Sequence, residues 1–264
     1  MNNEILLSIV ITTHGEKYDI RNFYEISQYS IFSHFNEPIE IIISEDYLNK
    51  EPEYVKELEG KGLNIKYSFS KERGLANNRT NGLMCAKGKY VTFVDAPDTL
   101  DFDLKSINEI ISSGEDVITF ITDNVTNDFF TTPTIWGKLF KTDLLKKAGG
   151  FYFGWTGWWE EGTSQAVIRY NTKDLKVTHK AIKSDKIIYT WINDSEHTVG
   201  HFPTKEEIRN FLEKSKRDFY PDKKEIYMGH LEFIIKMIDI NHDRFSYDYT
   251  DIKNFCLLEQ KNNS

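Results

Sequence analysis

Runs of β-branched and other apolar residues alternate with helical patterns from residue 6 to about residue 190. Continuous apolar runs of this length predict strands that are buried on both faces. We predict strands at 6–12, 39–43, 64–69, 90–94, 117–122 and 186–191. We predict helices at about 20–35, 52–58, 75–86, 104–111 and 142–149, and one that ends near residue 170. Strands and helices alternating at this spacing indicate parallel βαβ units, and therefore an α/β fold.

The pattern changes after Pro203. Two helical patterns, at 205–219 and 223–240, are rich in charged residues and carry an apolar stripe. A stripe of this kind is typical of helices that bury one face. We therefore predict a main domain over residues 1–202 and a helical C-terminal extension over residues 203–264.

The composition is that of a globular protein, with 264 residues of which 39% are hydrophobic and 28% charged. The net charge of −8 weakly disfavours a broad nucleic-acid surface but leaves a local basic groove open. Cys85 and Cys256 lie too far apart in sequence to suggest a disulfide framework. There is no signal-peptide pattern and no apolar run long enough to cross a bilayer, so we predict a cytoplasmic protein without a transmembrane segment.

Three of the predicted strands end in polar residues, at 12–14, 45–46 and 95–98. Each of these ends alone is more often a turn signal than a binding site. The carboxyl ends of parallel strands, however, meet at one edge of a sheet, where α/β folds place their ligands. The sequence therefore predicts a site at this edge.

The order of SIVITTHG, IIISED, ERGLANNRTNGLMCAKGKYVTFVDAPD, WGKLFKTDLL and WWEE resembles the family-two glycosyltransferases of GT-A fold over about residues 6–195. The long middle motif is the most specific part. Its matching positions are Gly74, Arg79, Gly82, Ala86, Gly88, Tyr90, Phe93 and Asp95. The resemblance implies a GT-A (Rossmann-like), mixed but mainly parallel sheet flanked by helices, with the C-terminal helices as an appendage.

The resemblance also implies a nucleotide-diphosphate sugar donor, most often UDP-linked. The positions that match the donor-binding residues are Thr12, Thr13, His14, Glu45, Asp46, Arg73, Gly74, Arg79 and Asp95. The turn at residues 12–14 is expected to contact the nucleotide, and Asp46 rather than Glu45 is expected to recognise a uracil. Without the motif, a charge on a helix surface would be the simpler interpretation of Arg79.

The acidic tip departs from the family pattern. The family's Asp-x-Asp uses its second acid to bind a divalent metal, whereas this chain has Pro97 there and Asp98 one residue later. Asp95 and Asp98 are hard oxygen ligands that suit Mg²⁺ or Mn²⁺ beside a diphosphate, with His197 as a candidate third ligand. The alternatives are weak metal binding, no metal at all, an Asp98 that only caps the following turn, and an inert loop histidine.

The candidate catalytic base lies in the WWEE segment. An inverting transfer needs a carboxylate within hydrogen-bond reach of the acceptor hydroxyl. By the resemblance Glu161 is that base and Glu160 the second choice; alternatively, both acids only favour a helix N-terminus. Candidate acceptor contacts are Lys138, Trp155 and Trp158, although a solvated lysine and tryptophans that fill a core explain them as well.

These features together favour an inverting glycosyltransferase. The family's commonest acceptor is a glycan or glycolipid intermediate, and a modified nucleic-acid base or a protein stays open. One alternative is a nucleotide-sugar-binding protein without transfer activity, which Pro97 permits and the pair at 160–161 disfavours. A nucleotidyltransferase is the weakest alternative, because TTHGEKYD, after the first strand, is not a phosphate loop rich in glycine and basic residues.

Overall fold

The computed structural model describes residues 4–14, 38–46, 53–60, 64–70, 74–96, 98–120, 135, 137–152, 160–182, 187–190, 203–241 and 248–263. Within these residues, seven strands form one sheet in the order β3-β2-β1-β4-β7-β6-β8. Their bounds are β1 Leu7–His14, β2 Ile39–Asp46, β3 Ile65–Ser70, β4 Tyr90–Asp95, β6 Val117–Thr119, β7 Lys138–Lys141 and β8 His179–Ala181. A separate two-stranded sheet joins β5 Thr99–Phe102 to β9 Ile187–Thr190.

The first four strands of the main sheet are all parallel. β1 lies in the middle of this set, between β2 and β4, and β3 flanks β2. β7 is antiparallel to both β4 and β6, while β6 and β8 are parallel to each other. The sheet is therefore mixed but mainly parallel, as the family resemblance implies.

The helices are α1 Glu53–Gly60, α2 Leu75–Cys85, α3 Leu104–Ile111, α4 Thr142–Lys147, α5 Glu160–Asn171, α6 Lys205–Phe219, α7 Lys224–Asn241 and α8 Thr250–Asn263. Local signals set several of their starts. Asp103 caps α3 by accepting from the Ser106 amide at 2.8 Å. Thr204 and Glu207 form a capping box at the start of α6. This pair is a sequence signature of a helix start, and α6 begins where the sequence predicts.

The side chains of β1 divide the core into two faces, because successive residues of a strand point to opposite sides. Ile9 and Ile11 join one apolar cluster that includes Ile107 of α3. Val10 joins a second cluster with Leu83 of α2 and Ile168 of α5. Helices thus cover both faces of the sheet, which explains why its strands are apolar throughout.

The C-terminal helices α6, α7 and α8 share a third apolar cluster. Its fully buried members include Ile208, Leu231 and Ile252, one from each helix. The predicted division between residues 202 and 203 stays a prediction, since residues 191–202 lie outside the described part of the chain.

Most predicted elements are found within a residue or two of their expected bounds. The predicted helix at 20–35 lies outside the described residues, as do residues 121–122 of the strand predicted at 117–122. β5, β7, β8 and α8 are not predicted from the sequence. The strands are only three or four residues long, which is too short for an apolar run or an alternation to be recognised.

Candidate functional site

The polar ends of the parallel strands meet at one edge of the sheet, as predicted. Thr12 of β1 is in register with Asp95 of β4. On the other side, Thr13 is in register with Glu45 and His14 with Asp46 of β2. The backbone positions at 12–14, 45–46 and 95 therefore form one continuous strip.

Asp95 is held from two sides. Its Oδ1 accepts a hydrogen bond from the Thr12 hydroxyl at 2.5 Å, and its Oδ2 accepts one from Arg79 Nη2 at 2.6 Å. Arg79 is only 1% exposed, whereas the Asp95 side chain is 30% exposed. The interpretation of Arg79 as a helix-surface charge is therefore wrong, because α2 places its guanidinium inside the protein. The pair combines a buried cation with a carboxylate that solvent and ligands can reach.

A second polar contact ties α2 to the same strand ends. The Asn78 amide donates to the Thr13 carbonyl at 2.9 Å, and the Ser44 hydroxyl donates to the Asn78 carbonyl at 2.7 Å. All three residues are buried. A buried side-chain amide needs hydrogen-bond partners, and those of Asn78 fix α2 against the ends of β1 and β2.

Two glycines let the α2 segment approach β1 closely. A Cβ on Gly82 would lie 2.3 Å from Val10 Cγ1, and one on Gly88 would lie 2.5 Å from the Ser8 backbone nitrogen. Gly74, directly before α2, has φ of 128°, a backbone conformation that side chains other than glycine rarely adopt. The glycines of the motif therefore set the position of Arg79 relative to the strand ends.

Of the acidic pair at the end of β2, Glu45 is buried, with an exposed fraction of 1%. Asp46 is the last residue of β2, where the strand reaches the edge. The uracil-recognition role expected of Asp46 stays a prediction.

The acidic tip continues from β4 into a tight turn. The Asp98 amide donates to the Asp95 carbonyl at 2.6 Å, and Asp98 is 4% exposed. Two carboxylates within four residues are a donor set that fits a hard divalent cation, since a carboxylate oxygen that accepts one hydrogen bond keeps a second lone pair. Among the described residues no group of three or more His, Cys, Asp or Glu could hold a metal. A metal at this tip would therefore take further ligands from the donor, from water or from elsewhere in the chain.

The candidate base lies on a different element. Glu160 and Glu161 are the first two residues of α5. Lys138 is the first residue of β7 and is fully buried. Four predicted site residues lie outside the described part of the chain: Arg73, Trp155, Trp158 and His197.

The opposite edge of the sheet holds a buried acid that the sequence analysis missed. Glu40 accepts from the Ser8 hydroxyl at 2.6 Å and from the Lys87 amide at 2.5 Å, and it pairs with Lys66. Burial raises the pKa of Glu40, but the bonds from Lys66, Ser8 and Lys87 outweigh this and bring the pKa below its ordinary value. This network lies at the amino ends of β1 and β2 and joins them to the turn before β4.

The sequence of residues 8–175 matches the profile described as Glycosyl transferase family 2. This stretch is more than half of the chain, and the chain belongs to that family. No curated protein sequence matches the chain significantly.

Solved structures with a similar fold include crystal structures of S. aureus TarS 1-349. One of them superposes with a TM-score of 0.60 at 16% identity, covering 98% of this chain and 79% of the other. The complex with UDP-GlcNAc gives a TM-score of 0.60 at 17% identity, with coverages of 89% and 73%. The complex with UDP gives 0.54 at 17% identity, with coverages of 91% and 72%. At this identity the likeness establishes the shared fold.

Among the described residues, none of the helices has the length and apolar character of a membrane span.

Proposed function

We propose that this glycosyltransferase moves a sugar from a nucleoside-diphosphate sugar, UDP-linked, to an acceptor hydroxyl, with inversion at the transferred sugar carbon. The observation that carries the proposal is the Asp95 carboxylate, which is fixed between the Thr12 hydroxyl and the buried Arg79 guanidinium at the ligand edge of a parallel sheet. This edge is where α/β folds bind nucleotides. UDP-GlcNAc is the first donor to test, because TarS shares the fold and has been solved with it.

The donor lies along the strip of strand ends in this proposal. Residues 12–14 contact the nucleotide, and Asp46 accepts a hydrogen bond from the uracil imide. Arg79, together with Arg73 and the backbone near Gly74, places positive charge beside the diphosphate. Because Arg79 is buried and paired with Asp95, it also holds that carboxylate in a fixed position that needs little reorganisation when the donor binds.

The acidic tip is the proposed metal site. Asp95 and Asp98 would hold Mg²⁺ or Mn²⁺, which when bound neutralises charge on the departing diphosphate. The small sheet supports His197 as a further ligand, because Thr190 of β9 is in register with Thr99, the neighbour of Asp98. His197 follows Thr190 by only seven residues, so the chain can return to the tip.

The candidate base completes the proposed reaction. Glu161, or Glu160 in its place, removes the proton of the acceptor hydroxyl as that oxygen attacks the sugar carbon and the diphosphate leaves. Lys138, Trp155 and Trp158 are the proposed acceptor contacts. Location in the cytoplasm and a glycan or glycolipid acceptor, rather than a protein or a modified nucleic-acid base, stay predictions from the sequence.

A thermal-shift panel tests the donor proposal. UDP, GDP and TDP sugars are added to the full chain with and without Mn²⁺. A ligand at about 100 times its Kd adds about 2.7 kcal/mol to the free energy of unfolding, which raises Tm by several degrees. We expect UDP-GlcNAc or another UDP sugar to give this shift.

The Asp98→Ala variant serves as the metal test in the same panel. We expect it to lose the part of the shift that depends on Mn²⁺ and to keep the rest. If no nucleotide sugar raises the Tm of the wild-type chain, the donor proposal is wrong. If the shift is the same with and without Mn²⁺ and in Asp98→Ala, the metal proposal is wrong and the donor proposal stands.

A further inference from the structure

The C-terminal helices contact the chain on both sides of residues 153–159, the segment that leads into the candidate base. Tyr152 lies immediately before this segment and contacts α6 and α7. Gly162 and Thr163 lie immediately after Glu161 and contact α7. The two ends of the segment are thus held by the same group of helices.

The first anchor is the side chain of Tyr152. Its ring stacks on His230 at a centroid distance of 5.5 Å and packs against Phe219 at 4.8 Å. Its hydroxyl donates to Asp218 at 2.8 Å, and Lys214 lies over its ring. Burial, together with the hydrogen bond to Asp218, raises the pKa of Tyr152, so the hydroxyl stays protonated as the donor of that bond.

The second anchor is the first turn of α5. The absence of a side chain at Gly162 lets the Phe233 ring pack directly against the helix backbone, because a Cβ there would lie 1.9 Å from Phe233 Cε2. The Thr163 carbonyl accepts a hydrogen bond from His230 Nε2 at 2.9 Å. Both contacts lie within two residues of Glu161.

His230 joins the two anchors. It is fully buried, and while its Nε2 bonds the Thr163 carbonyl, its Nδ1 lies 2.7 Å from the Ser215 hydroxyl. Since a carbonyl only accepts, Nε2 carries the proton and Nδ1 accepts from Ser215. Burial lowers the pKa of His230 to about 4, which keeps the ring neutral and in this tautomer at physiological pH.

Thr80 adds a link from the donor side. It follows Arg79 on α2, and its hydroxyl accepts from the Phe151 amide at 2.9 Å. Phe151 precedes Tyr152 in the chain. Two successive residues therefore contact Thr80 of α2 and His230 of α7. The start of α5 is therefore linked to α2, which carries Arg79, through contacts between described residues.

We propose that His230 is a positioning residue for sugar transfer, which fixes the start of α5, and with it Glu161, through Thr163 and Tyr152. The inference rests on the proposed role of Glu161. His230 touches neither the donor nor the acceptor in this proposal. Its effect on the reaction comes from the position of the helix that carries the base, and displacement of a catalytic group by about 1 Å costs on the order of 100-fold in rate.

The test compares His230→Leu with His230→Gln and with Ile252→Ala. Leucine removes both hydrogen bonds, whereas glutamine keeps an amide donor near the position of Nε2. Ile252 is buried in the same helical cluster on α8, so its truncation is the control for a general loss of stability. Hydrogen exchange is measured at the amides of residues 164–168, which bond to the carbonyls of the first turn of α5. The rate of UDP release from UDP-GlcNAc and the Kd for UDP-GlcNAc are measured in parallel.

We expect His230→Leu to speed exchange at these amides about tenfold, while Ile252→Ala leaves their protection relative to the rest of the chain unchanged. We expect kcat for UDP release to fall about 10- to 100-fold in His230→Leu with the Kd for UDP-GlcNAc unchanged, and to recover in His230→Gln. If His230→Leu and Ile252→Ala change exchange and kcat equally at equal loss of Tm, or if glutamine restores nothing, the inference is wrong. A wild-type chain that binds no nucleotide sugar would contradict the proposed function, and the exchange comparison would still decide whether His230 fixes α5.

Discussion

The two halves of the candidate site are positioned by different means. The donor edge consists of strand ends whose relative positions follow from backbone register, with Thr12 opposite Asp95 and Thr13 opposite Glu45. The start of α5, which carries Glu160 and Glu161, is positioned by side chains of helices that come about 70 residues later in the chain, chiefly His230 and Phe233.

The donor edge and the start of α5 therefore differ in how they tolerate substitutions. A register is shared by many backbone hydrogen bonds, so the strand ends move together or not at all. The docking of a helix depends on a few side chains, and one substitution can shift it. We therefore expect substitutions at the donor edge to act mainly on stability and donor binding, and substitutions near α5 to act mainly on turnover.

The largest effect is expected for Arg79→Ala. The substitution leaves a cavity where the buried guanidinium lay and removes the charged partner of Asp95, which should lower the free energy of unfolding by about 2–5 kcal/mol. Urea unfolding measures the loss, and the shift of Tm with UDP-GlcNAc should also disappear. The control is Lys105→Ala, which removes an exposed ion pair in which Lys105 Nζ lies 3.9 Å from Glu109 Oε1. This substitution should lower the free energy of unfolding by less than about 1 kcal/mol. Equal losses in the two variants would contradict the structural role of Arg79.

Gly88→Ala is expected to cost about 1–3 kcal/mol, since the new methyl group would meet the backbone of β1 at Ser8. Because backbone cannot rotate away as a side chain can, β1 or the turn must move. Gly60→Ala is the matched control, with nothing within 4 Å of the added Cβ. Urea unfolding should separate the two, and a Gly88→Ala chain as stable as Gly60→Ala would mean that close approach to β1 is not required.

The pH dependence of stability tests the environment of His230. Its pKa is lowered from 6.5 to about 4 in the folded chain, so the unfolded chain binds more protons between these values. Its contribution to stability is therefore present above pH 6.5 and is lost as the pH falls towards 4. Between pH 7.5 and pH 5 the wild-type chain should lose roughly 2 kcal/mol more than His230→Gln, which has no titrating group there.

Urea unfolding of both chains at the two pH values measures this difference. Tyr152 stacks on His230, and Asp218 and Lys214 contact Tyr152. These titratable groups are common to both chains, so their contributions to the pH dependence cancel in the comparison. Parallel losses in the two chains would show that His230 is not buried as a neutral ring.

The smallest effect is expected for Tyr152→Phe. The loss of the hydrogen bond to Asp218 should cost about 1 kcal/mol, while the ring keeps its contacts with His230 and Phe219. Exchange at residues 164–168 should stay as in the wild-type chain. Faster exchange at these amides would show that the Tyr152 hydroxyl, rather than the packing of its ring, stabilises the start of α5.

The sequence predicts the donor half well because its signals are local. Apolar runs and the residues that end them place Thr12, Glu45 and Asp95 at one edge, and the glycines of the motif indicate how closely α2 approaches the sheet. The burial of Arg79 is the exception. The sequence of a helix of mixed composition does not show whether a charged side chain faces the solvent or the core. Only the family motif, which places Arg79 among the donor-binding positions, indicated something other than a surface charge.

The sequence does not predict what holds α5. His230 lies within an amphipathic helix where a histidine has no distinctive spacing, and its partners Thr163 and Tyr152 come from 67 and 78 positions earlier in the chain. Such contacts depend on how two distant helices pack, which no periodicity records. β5, which pairs with β9 beside Asp98, was missed because a strand of four residues leaves no recognisable pattern, whereas β9 lies within the strand predicted at 186–191.

The most direct test of the account compares donor binding with turnover in Glu161→Gln, Glu160→Gln and the wild-type chain. Calorimetry gives the Kd for UDP-GlcNAc, and UDP release in the presence of Mn²⁺ gives kcat. We predict that Glu161→Gln keeps the wild-type Kd and loses about 10²- to 10⁴-fold in kcat, while Glu160→Gln keeps most of both. Unchanged turnover in both Glu161→Gln and Glu160→Gln, with the donor still bound, would contradict the division between a donor edge and a base carried by α5.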